Sequence, residues 1–170
     1  MATKWPFSLP LPVAKRGKQL KSMTVRVQIE DFDAGVEIDA MRRSDANIGA
    51  VAAFVGQVRD LNEGDQVSEL VLEHYPGMTE KSLQAIIEQA KERWEVIDAV
   101  IVHRVGKLKP LDQIVLVLVA SSHRKEAFAA CEFMMDYLKT EAPFWKKEQT
   151  PAGNRWVEAK TSDDEAKKRW

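Results

Sequence analysis

The side chains able to do chemistry in this sequence are mostly cations. His123 and Arg124 follow Ser121-Ser122 where a helical pattern begins. The first backbone N–H groups of a helix are unpaired and its dipole favours an anion, so an Arg there can fork onto a phosphate or carboxylate. Solvated first-turn residues are the plainer account of Arg124 and Lys125. Cations at that end oppose the dipole, however, and this mild cost argues for a role. Lys139 closes the same helical stretch, where a cation is electrostatically favoured in any protein. Lys146-Lys147 follow Pro143-Phe144-Trp145, placing two ammonium groups beside aromatic rings. A flat heteroaromatic anion can stack and pair there, and a hydrophobic corner would read the same way. Arg59 ends a strand pattern just after Gly56, with a loop to follow.

The remaining reactive types argue against other chemistries. His74, His103 and His123 form no HxH or HExxH pair, which gives a metal site little support. His74 and His103 lie inside strand patterns and read as satisfied structural histidines. Cys131 is the single cysteine, on an apolar helical stripe, so it reads as core rather than nucleophile. Trp94, Trp145, Trp156 and Met134-Met135 also read as core or interface. No GxGxxG, Walker-type loop or GxSxG occurs.

The elements that must position these groups follow from periodicity. Thr24–Glu30 alternates as a strand, Val36–Arg43 reads as a short helix, and Ile48–Val58 is a long β-rich run. Val67–Tyr75 resumes alternation, and the pair predicts an antiparallel hairpin with a loop around Asp60–Gln66. Thr79 is the expected N-cap of a helix whose stripe is Leu83, Ile86, Ile87, Ala90 and Trp94. Ala99–Val105 is a strand and Gly106–Asp112 a turn. Gln113–Ala120 is nearly all aliphatic, which predicts a strand buried on both faces. Ser121-Ser122 offer caps for a second long helix over 123–140, ended by Pro143. Phe144–Lys147 and Arg155–Glu158 read as short extended pieces around Pro151–Asn154, and Asp163–Arg169 as a terminal helix. The order β-α-β-β-α-β-β-α-β-β predicts an α+β domain with a mixed or antiparallel sheet and two long helices.

The chain has 170 residues, 25 Lys+Arg against 26 Asp+Glu and a net charge of −1, the size of one domain. Residues 1–22 carry five basic and no acidic side chains and three prolines, without lasting periodicity. An appended leader, a native disordered extension and a targeting peptide compete there, and Phe7–Ala14 is too short and Pro-broken for a signal peptide. The domain is expected over 23–170. Residues 23–100 are acidic overall and 101–170 mildly basic. This split suggests a local anion site rather than a nucleic-acid coat. A lone cysteine and no secretory leader fit a reducing cytoplasm.

Several tracts carry a closer likeness: Leu72–Glu80 (LEHYPGMTE), His103–Gly106 (HRVG), Ser122–Arg124 (SHR), Met135–Thr140 (MDYLKT), Ala142–Lys147 (APFWKK) and Arg155–Glu158 (RWVE). Together they make residues 23–170 resemble the large, catalytic subunit of molybdopterin synthase. The resemblance implies an α/β-hammerhead fold and a sulfurtransferase. That enzyme converts cyclic pyranopterin monophosphate (precursor Z) into molybdopterin, and needs no metal or cofactor of its own. It implies two partners: a small ubiquitin-like carrier whose C-terminal Gly-Gly bears a thiocarboxylate, and a second copy of the large subunit, forming the dimer at the centre of a heterotetramer. By motif match, the catalytic positions fall on Lys139 and Lys146. The substrate positions fall on Arg59, His123 and Arg124, with Gln57, Val58, Lys147 and Glu148 as pocket neighbours. Gln57 departs from the Lys expected in some relatives and supplies no charge. A non-catalytic module holding a pterin phosphate or a partner's tail is the alternative within the same fold.

One length argument links the two ends of the second helix. From His123 to Lys139 is about 24 Å at 1.5 Å per residue, more than a pterin spans. The expectation is a pocket shared between two chains, Lys139 and Lys146 from one, His123 and Arg124 from the other, with Arg59 open to joining the latter.

Overall fold

The computed structural model describes residues 25–62, 65–151, 153–157 and 161–170. The segment expected to precede the domain, 1–22, lies outside them, as do Gly64 in the expected loop and Glu158. Two four-stranded sheets share the chain. The first has the order β1 (Val25–Gln28), β6 (Asp98–Arg104), β8 (Gln113–Ser121), β2 (Ala50–Gln57). β1 runs parallel to β6, and the other pairs are antiparallel, so this sheet is mixed. The second is antiparallel: β10 (Gly153–Val157), β9 (Phe144–Thr150), β5 (Glu69–His74), β7 (Gly106–Leu108).

β8 is buried on both faces, as its unbroken aliphatic run requires. Val115, Val117 and Val119 meet α2 (Met78–Arg93) and α3 (Arg124–Glu141) through Leu83, Ile87, Ala130, Phe133 and Met134. Leu116, Leu118 and Ala120 face the other way, toward Phe32 and toward Met41 of α1 (Ala34–Arg42). A smaller core of Val58, Leu70, Leu72 and Leu108 joins the second sheet to the first.

The expected hairpin is not formed. β2 pairs with β8, while β5 pairs with β7 and β9 in the other sheet. Between them, β3 (Leu61–Asn62) and β4 (Asp65–Gln66) close a short ladder of their own. Alternation reports a strand but not its partner, and β8 offers β2 an apolar edge that β5 does not. The expected turn at 106–112 likewise contains β7. Gly106, at φ +84°, bends the chain there from the first sheet into the second, a conformation glycine adopts without a Cβ clash.

Two caps also differ. α2 starts two residues earlier than a Thr79 cap implies: its N-cap is Gly77, at φ +80°, whose N–H donates to Glu80 Oε2 at 2.7 Å. Thr79 is fully buried inside the first turn, and its hydroxyl donates to Tyr75 O at 3.0 Å. For α3 the N-cap is His123, without a side-chain capping bond. Ser121 Oγ accepts from His123 N–H at 3.3 Å, and Ser122 Oγ bonds Glu95 Oε1 at 2.9 Å.

Candidate functional site

α3 leaves the end of β8 within three residues and folds back across β8 and β2, so its two ends overlie opposite ends of the first sheet. His123 and Arg124 therefore sit at the Ser121 end, both exposed. Lys139, near the other end of α3, lies toward Gln113. The β2–β8 register puts Ala50 opposite Ser121 and Gln57 opposite Gln113. Eight residues of strand, roughly 27 Å, separate these ends.

Gln57, Val58 and Arg59 thus fall at the Lys139 end of their own protomer. They are fixed there by the 111–112 turn: Val58 N–H donates to Asp112 O at 2.9 Å, Leu111 N–H donates to Val58 O at 2.9 Å, and Gln57 Nε2 reaches Leu111 O at 3.5 Å. Leu111 itself, at φ +76°, is the one non-glycine residue with positive φ among the described residues. That strain, on a residue 81% exposed, belongs to the turn that holds Arg59's loop, and no sequence signal marks it. Val58 is buried in the small core, whereas Gln57 and Arg59 are exposed. The expectation that groups Arg59 with His123 and Arg124 does not hold for a single chain.

The Pro143 corner brings Lys146 back toward the same end. It lies on β9, opposite Leu72 of β5 and Val157 of β10. Two residues earlier on the same face, Phe144 stacks on His103, with centroids 3.7 Å apart and planes 15° apart. His103 is buried, and its Nδ1 lies 2.8 Å from Arg104 O, so that nitrogen carries the proton and donates. Burial, with smaller contributions from Lys146 and His74, holds its pKa down at about 4, against the partial lift from the Arg104 carbonyl. A neutral imidazole therefore backs the strand that carries Lys146. The structural reading of His103 agrees with this geometry. His74 is less well satisfied, since its Nδ1 is buried without a hydrogen-bond partner among the described residues.

Strand alternation separates the two adjacent lysines. Lys147 points to the opposite face of β9 from Lys146, with its Nζ 5.5 Å from the Trp156 ring. The structure does not bring it to the Lys146 face. Glu148 is on that face but buried, and its Oε2 accepts from Arg155 Nη2 at 3.2 Å across the β9–β10 pair. Lys139 Nζ lies 3.4 Å from Asp163 Oδ1 of α4 (Thr161–Lys167). A cleft of about 420 Å³ opens beyond Arg59, between Asp60, Ser68, Pro110 and Pro151, and none of the candidate side chains lines it. Cys131 is buried in the main core, and burial together with Glu132 pushes its thiol up to about 11.

Each chain thus carries two separate cationic stations, Arg59 with Lys139 and Lys146 at one end and His123 with Arg124 at the other. Comparison with known proteins identifies the frame that carries them. The MoaE protein family matches residues 27–141, two thirds of the sequence.

The chain belongs to the MoaE family.

Among curated relatives, a protein of Ralstonia nicotianae named molybdopterin synthase catalytic subunit is 65% identical over 147 residues, covering 86% of this chain and 84% of its own. Among solved structures, a molybdopterin biosynthesis MoaE protein from Burkholderia ambifaria is 59% identical with a TM-score of 0.75, covering 86% of this chain and 97% of that one. A molybdopterin synthase from Staphylococcus aureus is 33% identical with a TM-score of 0.72 over 84% of this chain and 99% of that one. The MoaE frame has the α+β architecture expected from the element order, with two sheets where one was read.

Proposed function

We propose that this chain is the catalytic subunit of a molybdopterin synthase and acts as a sulfurtransferase. Cyclic pyranopterin monophosphate is converted to molybdopterin with two sulfurs delivered by thiocarboxylated small carrier subunits, one sulfur from each thiocarboxylate. The observation that carries the proposal is the 65% identity to a named catalytic subunit across 86% of the chain.

The residue types suit that chemistry. The substrate carries a cyclic phosphate and the incoming tail a thiocarboxylate, so both reactants are anions. Arg59, His123 and Arg124 hold the phosphate and pterin, using the N-terminus of α3 as an additional donor. Lys139 and Lys146 orient the thiocarboxylate as its sulfur bonds the pterin, then stabilise the oxyanion that forms when water attacks the resulting thioester and releases the carrier as a carboxylate, and move the protons. The nucleophile is the carrier's sulfur, so the chain supplies no Ser or Cys nucleophile, and buried Cys131 takes no part. Gln57, Val58 and Glu148 shape the pocket wall, while Lys147, on the opposite face of β9, stays outside it.

The active unit is a dimer. With the two stations about 24 Å apart along α3 of one chain, a pocket takes Arg59, Lys139 and Lys146 from one protomer and His123 and Arg124 from its partner. Phe54 and Val55 on β2, an outer strand of the first sheet, and Phe128 beside Arg124 are exposed apolar side chains suited to that contact.

Reconstitution tests the proposal. The chain is mixed with thiocarboxylated carrier and precursor Z, and molybdopterin is followed by fluorescence of its oxidised product. Turnover by the parent is expected, with a loss of about a hundredfold or more in Lys139→Ala. A stable complex with the carrier but no turnover would instead favour a non-catalytic module that holds the pterin or the tail.

A further inference from the structure

The last ten residues belong to none of the motifs that mark the family, yet they end on Lys139. α4 has seven residues, too few to hold a helix alone. α3 holds it. Arg169 Nη2 reaches Glu132 Oε1 and Asp136 Oδ2, each at 2.9 Å, and Trp170 Nε1 donates to the same Asp136 oxygen at 2.8 Å. Lys167 pairs with Glu141 and lies over the Tyr137 ring. The Trp170 ring packs edge-on against Trp94 and Phe133, with centroids 5.5 and 5.8 Å away, and its main-chain oxygen accepts from Arg93 at 2.9 Å. These tethers run along α3 from Glu132 to Glu141. What they present to the Lys139 end is Asp163, in the first turn of α4, 3.4 Å from Lys139 Nζ. Asp163 is the better covered partner, 23% exposed against 46% for Lys139.

We infer that Asp163 is a positioning residue for Lys139, and that the C-terminal helix is the part of the fold that holds it in place. The inference rests on the proposed catalytic role of Lys139. A lysine ammonium rides on four rotatable bonds, and a half-exposed one is spread over many rotamers unless a partner selects among them. An ion pair this open adds little to folding. Displacing a catalytic group by about 1 Å can cost about a hundredfold in rate. Removing Asp163 is therefore nearly silent in stability and large in turnover. A carboxylate that merely competed with the arriving tail would have to withdraw, and the tethers at Arg169 and Trp170 oppose withdrawal.

The test compares the parent chain with Asp163→Asn in the reconstituted reaction, with Asp164→Asn as a charge control in the same turn. Asp163→Asn is expected to lose about tenfold or more in kcat, with KM for the carrier changed by less than about twofold, parent-like thermal unfolding, and part of the rate regained in Asp163→Glu. The control is expected to match the parent. A parent-like kcat in Asp163→Asn overturns the inference. So does a lower KM with kcat unchanged or raised, which marks a competitor. Should Asp163→Asn not unfold cooperatively, Asp163→Ser is read by the same criteria. Nitrogen relaxation of the Lys139 ammonium reads positioning without turnover. Loss of order in the variant supports the inference and unchanged order overturns it, even if the parent proves inactive and the proposed function falls.

Discussion

A buried imidazole stacked on Phe144 makes His103 the clearest titration among the described residues. Its folded pKa, about 4, lies below the ordinary 6.5, so the folded chain binds its proton later than the unfolded chain. The sign follows directly: this contribution is fully present above about pH 6.5 and is lost as pH falls toward 4, where the unfolded state takes up a proton that the native ring refuses. The groups around it are Lys146 and His74, which both disfavour its charge, and the Arg104 carbonyl, which favours it. From roughly pH 7.5 to roughly pH 5 the loss from this one residue is on the order of 2 kcal/mol. Urea unfolding of the parent and of His103→Phe at both pH values checks it. The variant should lose less stability than the parent by about that increment, and equal losses would place the acid sensitivity elsewhere. At this scale much was legible in sequence. His103 read as structural, Cys131 as core, His123 as a helix-start residue, and Arg124 and Lys139 as helix-end cations. Asp163 was not legible, because an acidic first-turn residue is what any helix prefers, and only the tethers at Arg169 and Trp170 show where it is aimed.

Elements were legible where their signal is local. The aliphatic run of β8 and the stripes of α2 and α3 report burial through side-chain period alone, and the structure places each within a residue or two of the reading. Pairing is not local. Ile48–Val58 and Val67–Tyr75 both read as strands, and nothing in either segment says that one joins β8 and the other β9. The same limit hid that Arg59 falls at the Lys139 end of α3, which depends on β2 lying antiparallel to β8. The α3 stripe supports a direct check. Cys131, on that stripe, is buried with its thiol raised to about 11 by burial and by Glu132. An aromatic disulfide reagent near pH 8 should leave the native thiol unmodified for hours and react promptly once denaturant is added, since the thiolate is the reacting form. Prompt native reaction would mean that α3 lifts from the sheet on that timescale.

The whole molecule decides whether the two cationic stations ever serve one reaction. A single α3 holds His123 and Lys139 about 24 Å apart, so no rotamer change joins them within one chain. A two-fold dimer can bring the stations together twice, because an isologous interface places each end of one protomer against the other end of its partner. Arg124→Ala and Lys139→Ala chains should each be nearly inactive as homodimers. In a mixed dimer, one pocket combines the intact Lys139 station of the first chain with the intact Arg124 station of the second, while the other pocket collects both lesions. Random assortment then restores about a quarter of the parent rate, read by unfolding and refolding the two variants together before adding carrier and precursor Z. Pockets built within single chains would restore nothing, since every site would then carry one lesion. The measured rate therefore separates a dimer that builds the active site from one that only joins two complete enzymes.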